Sequence, residues 1–463
     1  MRLGSWCFWG LPGRRSSRPS CPPSISDRTT PGRNTIRSKG GTIMRAPKAA
    51  LDENVDELRG EMLDFLASIV RYPSVTGEEA EAQRYVAGFL RKMGLLVDVW
   101  DIREEDLKDH EGAGAVTLGR SRPVVVGVKR GSGGGRSILL NGHIDVVEAG
   151  LGENWTVHPW QAEVKGDYLY GRGSCDMKGG LTTAVFALAA VMRAGIRLRG
   201  DVVIQSVPGE EDGGVGTLAC IHRGYVADAG IIPEPTRLAV GIAQAGCVNF
   251  RVVVRGLSAH GCMRDEGVSA VEKFYPVLQA LLRWERQRNL ELQHPFFQCY
   301  ENKVPISIGT VRAGSWNSTV PELLVAEGRA GMLPGESPED FKREMEEVIV
   351  EATRGDPWLR EHPPEVEWLS GMWEPAELDP DHPFVLSLAE SFRRVTGEEP
   401  KLVGVTYGSD MRLFTRYGGV PTVLFGPGDV RRAHFPDEYV PISEVTTAAK
   451  VLAELLVEWC GVA

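Results

Sequence analysis

The chain has 463 residues, 42% hydrophobic and 25% charged, with a formal net charge of −10. That length exceeds what one core usually organises, so two domains are expected. The acidic balance excludes nucleic acid as a partner, since no surplus of Lys and Arg is present to bind phosphates. Eight cysteines (7, 21, 175, 220, 247, 262, 299 and 460) are scattered without a Cys-x-x-Cys pair. This speaks against a disulfide framework and against a thiolate zinc site, and a cytoplasmic setting is expected. No apolar run reaches the ~18–20 residues of a membrane span, so no membrane partner is expected.

Residues 1–50 carry ten Lys/Arg against one acid, Asp27, with Pro and Ser in excess and no apolar periodicity. The segment reads as a disordered basic extension, with Met44 as the expected natural start. Folded sequence begins at Leu51. Helical spacing over Asp52–Ile69 (Val55, Leu58, Met62, Phe65) predicts a first helix, and Ser74–Glu79 opens a second that ends at Met93. Strands follow at Leu96–Trp100 and Val124–Lys129. The glycine run 131–135 lacks the Lys-Ser/Thr of a phosphate loop and reads as a connector.

Ser137–Leu140 is an apolar strand leading to His143, with Asp145 two residues on and hence on the same face. Tyr168–Tyr170 is a short strand. Asp176 lies in a glycine-rich turn before a helix with Leu181, Val185, Leu188 and Met192. Asp201–Val207 is a buried strand ending in Glu210 and Glu211, and a helix from the Gly213–Gly216 turn ends near Arg223. Ile231–Ile232 closes a strand before Glu234. Alternating strands and helices predict an α/β sheet covered on both faces.

From Cys247 the pattern changes. Strand Phe250–Val254, helix Ala270–Arg286, strands Ile306–Val311 and Leu323–Glu327, helix Pro338–Thr353 and strand Val366–Leu369 give a β-α-β-β-α-β order, the ferredoxin-like α+β sandwich. The α/β style then returns with helix Phe384–Val395, strand Pro421–Phe425 and helix Ser443–Trp459. The expected division is 51–246 and 372–463 as one catalytic domain, with 247–371 inserted as a lid or dimerisation domain. The helix Ala270–Arg286 carries Phe274, Val277, Leu278, Leu281, Leu282 and Trp284, a stripe wider than one sheet needs, which suggests a homodimer contact. Pro276 marks a kink or the true start of that helix.

His143, Asp145, Asp176, Glu210, Glu211, Glu234 and His434 thus form a set of acids and imidazoles, most of them close to a strand end, where open α/β sheets collect ligands. Singly, each has an ordinary explanation as a turn, a corner or a surface loop. Their number makes coincidence a poor account.

The motifs GHIDVV (142–147), YGRGSCDMKGG (170–180), PGEED (208–212), PEPT (233–236), GLSAHG (256–261), GSD (408–410) and GPG with AHFPDEYV (426–440) resemble the acetylornithine deacetylase and succinyl-diaminopimelate desuccinylase family. This group of two-zinc amidohydrolases includes aminoacylases and carboxypeptidases. The motifs span nearly all of Leu51–Ala463 in the family's order. The resemblance implies a zinc-aminopeptidase-like catalytic domain holding two zinc ions, with cobalt or manganese as possible substitutes. His143 and Glu234 would hold one ion, Glu211 and His434 the other, and Asp176 would bridge them. It further implies that Asp145 hydrogen-bonds His143, that Glu210 is the general base, and that the Asp176–Met177 peptide is cis. His260 would reach the partner subunit's active site and stabilise the oxyanion, while Asn317 and Arg329 would lie on the substrate side. A nitrogen-and-oxygen donor set without thiolates suits such ions.

The expected activity is hydrolysis of the amide of a small-molecule N-acyl substrate, centrally an N-acyl amino acid in a deacetylase-like reaction. A dipeptidase or carboxypeptidase and a deformylase of a small N-formyl amine are the alternatives. A non-catalytic, metal-stabilised binding protein is the reading from another class; Asp145 and Glu210 speak against it, because a scaffold needs ligands but no base.

Overall fold

A computed structural model describes residues 48–107, 110, 112 and 121–463. The proposed basic extension therefore lies outside the described residues except for its last three, which already belong to the first helix, Lys48–Glu57. The expected single N-terminal helix is two, with Arg59–Arg71 following after a break at Leu58, beside Gly60. The second predicted helix begins later, at Ala80. Ser74–Glu79 is instead a loop tied to the His143 strand: Ser74 Oγ donates to the Ile144 carbonyl at 2.6 Å.

Among the described residues, the large sheet has nine strands. Its path runs 96–101, 123–129, 202–207, 138–143, 230–232, 422–424, 240–244 and 376–377, with 402–405 pairing alongside 240–244. Strands 138–143, 202–207, 230–232 and 422–424 are mutually parallel. Ile138–His143 and Val202–Val207 are buried at every position, as central strands covered on both faces must be. Successive residues serve opposite cores. Ile138 and Leu140 pack under helices Gly179–Arg193 and Ile442–Cys460, whereas Leu139 joins Leu218, Met411 and Phe414 on the other side. Ser174–Arg193 is long and apolar enough to cross a membrane, but 83% of that window is buried, and it serves as a core helix.

The inserted sheet orders its strands 306–313, 323–332, 246–255 and 365–373, all antiparallel. Helices Ala270–Glu291 and Pro338–Thr353 cover one face, burying Val248, Phe250, Val252 and Val254 against Phe274, Val277, Leu281, Phe341 and Met345. The other face is polar and crossed by ion pairs, Arg251 to Glu327 and to Glu367 at 2.7 Å each. The helix runs unbroken through Pro276. Much of its apolar stripe is used within the domain, where Phe274, Val277, Leu281 and Trp284 are buried, while Leu282 is exposed together with Val271, Tyr275 and Leu290 of the same helix. The molecule is a two-domain α/β protein with a catalytic domain and a smaller inserted ferredoxin-like domain.

Several strands escape the sequence pattern. Val240–Gln244, Leu402–Val405, Glu163–Lys165 and Tyr439–Pro441 are short and lack alternation. The last two sandwich Tyr168–Tyr170 in a three-stranded sheet that bears on the site through the chain between Tyr170 and Asp176.

Candidate metal centre

Three strands deliver the site. His143 ends one strand, Glu210 and Glu211 follow the next, and Glu234 follows the third. Asp176 sits in the turn before helix Gly179–Arg193, beside a cis Asp176–Met177 peptide. His434 comes from the loop before Tyr439, with φ +59°.

Asp176 faces two imidazoles with its two oxygens. Oδ1 is 3.1 Å from His143 Nε2 and Oδ2 is 3.5 Å from His434 Nε2. His434 Nε2 is also 3.0 Å from Glu211 Oε1, and His143 Nε2 is 3.9 Å from Glu234 Oε1. Ligand atoms of His143, Asp176 and Glu211 all lie within 4.8 Å of one another, a three-residue cluster able to hold a metal ion.

Asp145 is placed differently from the expectation. His143 Nδ1 pairs with the Asp145 backbone carbonyl at 2.9 Å, while the carboxylate stands 3.6 Å away. That carboxylate accepts the backbone N–H of Glu210 at 3.2 Å and of Glu211 at 3.1 Å, and the Thr76 hydroxyl at 3.3 Å. Its buried charge thus fixes the turn that carries both glutamates. The turn closes with Gly213 N–H on the Glu210 carbonyl at 3.0 Å, so the two side chains are parted by a turn and not by extended backbone.

Electrostatics shows the deficit of positive charge. Burial, joined by the neighbouring acids Asp410, Glu234 and Glu211, pushes Glu210 well above the usual carboxylate range. Burial and Asp176 do the same to Glu234, and burial raises Glu211 more weakly. Burial works against a charge on His143, yet Asp176 and the surrounding acids outweigh it and push the imidazole well up. The hydrogen bond to Glu211 raises His434. Buried carboxylates converging with two imidazoles are what a bound cation would relieve. Cys175 is not of this set: its thiol donates to the Asp429 carbonyl at 3.4 Å, and burial pushes its pKa well up.

A cavity of about 300 Å³ opens on the cluster, lined by Asp176, Glu210, Glu211, Glu234 and His434 and also by Cys247, Arg329, Trp373 and Tyr407. Arg329, expected on the substrate side, lines it. His260 and Asn317 do not. Both are exposed in one region of the inserted domain, where His260 pairs with Thr319 and its Nδ1 accepts the Cys262 N–H at 3.2 Å. The aromatic wall of Trp373 and Tyr407 was not singled out in the sequence, since neither carries charge. Nor was Glu438, although it lies within the AHFPDEYV motif.

An α/β sheet with this nitrogen-and-carboxylate cluster at its strand ends, facing a small cavity, defines a metal-dependent hydrolase of carbon–nitrogen bonds. Residues 139–458 match Peptidase family M20/M25/M40, and the chain belongs to that family. An N-formyl-4-amino-5-aminomethyl-2-methylpyrimidine deformylase of Halalkalibacterium halodurans is 32% identical over 434 residues, covering 88% of this chain and 96% of the relative. An acetylornithine deacetylase of Myxococcus xanthus is 30% identical over 346 residues, covering 73% of this chain and 84% of the relative. A di-peptidase of Saccharomyces cerevisiae has the same fold, with a TM-score of 0.72 at 16% identity, covering 89% of this chain and 98% of that one.

Proposed function

We propose that the chain hydrolyses the amide of a small N-acyl amine, with an N-formyl amine on a heteroaromatic ring as the preferred class. The observation that carries this reading is the 32% identity to the deformylase, sustained along 96% of that relative. The cavity is consistent with it, since Trp373 and Tyr407 contribute aromatic side chains to its lining.

His143 and Glu234 would hold one divalent ion and Glu211 and His434 a second, with Asp176 between them; zinc, cobalt and manganese all suit these donors. Bound ions of this kind polarise a carbonyl and acidify water. Glu210, on the cavity wall outside the three-residue cluster, takes the proton of the attacking water and passes it to the departing amine. Asp145 holds Glu210 and Glu211 in register through their N–H groups. His260 and Asn317, which do not line their own cavity, act from the second subunit of a homodimer, where His260 donates to the developing oxyanion.

A second reading has its own support. Arg329 gives the cavity a guanidinium, which suits a substrate carboxylate and hence an N-acyl amino acid. Amine release is to be compared among an N-formyl aminomethylpyrimidine, N-acetyl amino acids and dipeptides, each with and without a chelator. The reading expects chelator-sensitive release, fastest from the formyl amine. Release only from dipeptides, or release indifferent to chelator, rejects it.

A further inference from the structure

The turn that carries Glu210 and Glu211 is rich in glycine, and Gly209, Gly213 and Gly214 have φ of +74°, +126° and +80°. Glycine tolerates this region but does not enforce it, so the turn keeps one shape only where its surroundings hold it. Two buried guanidiniums do so.

Arg122 precedes strand Pro123–Lys129 and donates from Nη1 to Asp212 Oδ2 at 3.0 Å and from Nη2 to Glu79 Oε1 at 2.9 Å. Its Nη2 also lies so close to Gly209 that a Cβ there would collide with it. Arg412, in the short helix Met411–Leu413, donates from Nη2 to the Gly213 carbonyl at 2.8 Å and from Nη1 to Glu374 Oε2 at 2.7 Å. Its Cζ stands 4.8 Å from the ring centre of Trp373, a residue of the cavity lining. Arg122, Arg412, Glu79 and Glu374 are all buried.

A buried guanidinium needs a counter-charge, and Glu79 and Glu374, both outside the turn, supply one to each. The remaining donors of each planar fork reach the turn itself. With the Asp145 carboxylate on the N–H groups of Glu210 and Glu211, each residue from Gly209 to Gly213 touches a buried charged side chain of another element. None of these bonds uses the Glu210 carboxylate, so they place the base without occupying it.

We infer that Arg122 and Arg412 are positioning residues for Glu210, clamping its turn through Asp212 and the Gly213 carbonyl. The inference rests on the amide hydrolysis proposed above, with Glu210 as its base.

The test uses Arg412→Lys and Asp212→Ala in the full-length, metal-loaded protein. The lysine keeps a charge beside Glu374 but loses the fork that serves Glu374 and Gly213 together. Asp212→Ala releases the turn from Arg122 and leaves the Glu79 pair intact. On the fastest amide substrate each variant is expected to lose ~10–100-fold in kcat, with metal content kept. Placed on Glu210→Gln, neither substitution should lower the residual kcat further, because no base remains to be misplaced. A merely structural role would lower it in both backgrounds. Hydrogen exchange read by mass spectrometry needs no turnover: residues 208–214 should exchange faster in both variants, with helix Ala270–Glu291 unchanged. Wild-type kcat in both variants overturns the inference, and so does an equal loss with and without Glu210. Should Arg412→Lys fail to fold, Asp212→Ala, only half-buried, decides by the same readings. If the wild-type protein releases no amine from any amide, the proposed function falls. Faster exchange confined to 208–214 then still supports the clamp, and unchanged exchange overturns it.

Discussion

Glu438 accepts the backbone N–H of Asp176 at 3.1 Å, so the residue between the two imidazoles is held by its main chain from a position 262 residues along, just before strand Tyr439–Pro441. The same oxygen accepts the Cys175 N–H at 2.9 Å, and the other takes Arg172 Nη1 at 2.6 Å. Both partners of this ion pair are buried, at 3% and 0% exposure. Removing one charge from such a pair leaves the other unpaired and typically costs ~3–5 kcal/mol. Glu438→Gln is therefore expected to lose about that much stability in denaturant unfolding. Its metal affinity should fall ~10–100-fold, as for other groups that orient a ligand. Unchanged metal affinity in a folded variant would limit Glu438 to a structural role.

Glu210 and Glu211 are neighbours with different surroundings, and substitution should separate them. Both line the cavity, but Glu211 belongs to the three-residue cluster and is bonded to His434, whereas Glu210 lies outside that cluster. Glu210→Gln is expected to lower kcat at least ~10²-fold with metal content intact. Glu211→Gln should instead lose metal, read by elemental analysis after dialysis. Near-normal turnover in Glu210→Gln would remove it as the base.

The contrast between these residues and their neighbours explains what the sequence could and could not reveal. His143, Asp176, Glu211 and Glu234 stand out because charged side chains at the ends of apolar strands are conspicuous. The role of Asp145 is not legible in the same way, because its acceptors are satisfied by main-chain N–H groups that any residue supplies. Tyr407 and Trp373 look like core aromatics until the cavity is seen. The inserted domain is readable from its alternating strands, while Val240–Gln244, buried throughout, offers no alternation to detect. Ser74–Glu79 carries the signature of a helix start, yet tertiary bonds to Ile144 and Asp145 claim its hydroxyls.

Asp410 predicts a pH dependence. Burial first of all lifts its carboxyl from 3.8 to about 6, against a lowering contribution from the Thr217 hydroxyl. A folded-state pKa above the unfolded one means that the folded protein binds more protons between the two values, so stability rises as pH falls through about 6 towards 3.8. Above pH 6 the ionised group is a burden. In the metal-free protein Asp410→Asn should therefore be more stable than wild type at pH 8, by on the order of 2–3 kcal/mol. The advantage should fade below pH 4. A constant difference across this range would show that Asp410 titrates alike in the folded and unfolded chains.

His260 provides the test of assembly. It is exposed, does not line its own cavity, and lies beside the loop that carries Asn317. In the proposed homodimer it serves the partner's site, and turnover requires assembly. His260→Ala and Glu210→Gln should each be nearly inactive alone. After mixing and subunit exchange, half of the dimers are hybrids, and each hybrid has one site with both an intact base and an intact histidine. Recovery of about a quarter of wild-type activity is then expected, measured once exchange has been verified by labelled subunits. No recovery after demonstrated exchange would confine His260 to its own subunit or to no catalytic role. A fully active monomer in sedimentation and assay at the same concentration would reject the arrangement altogether.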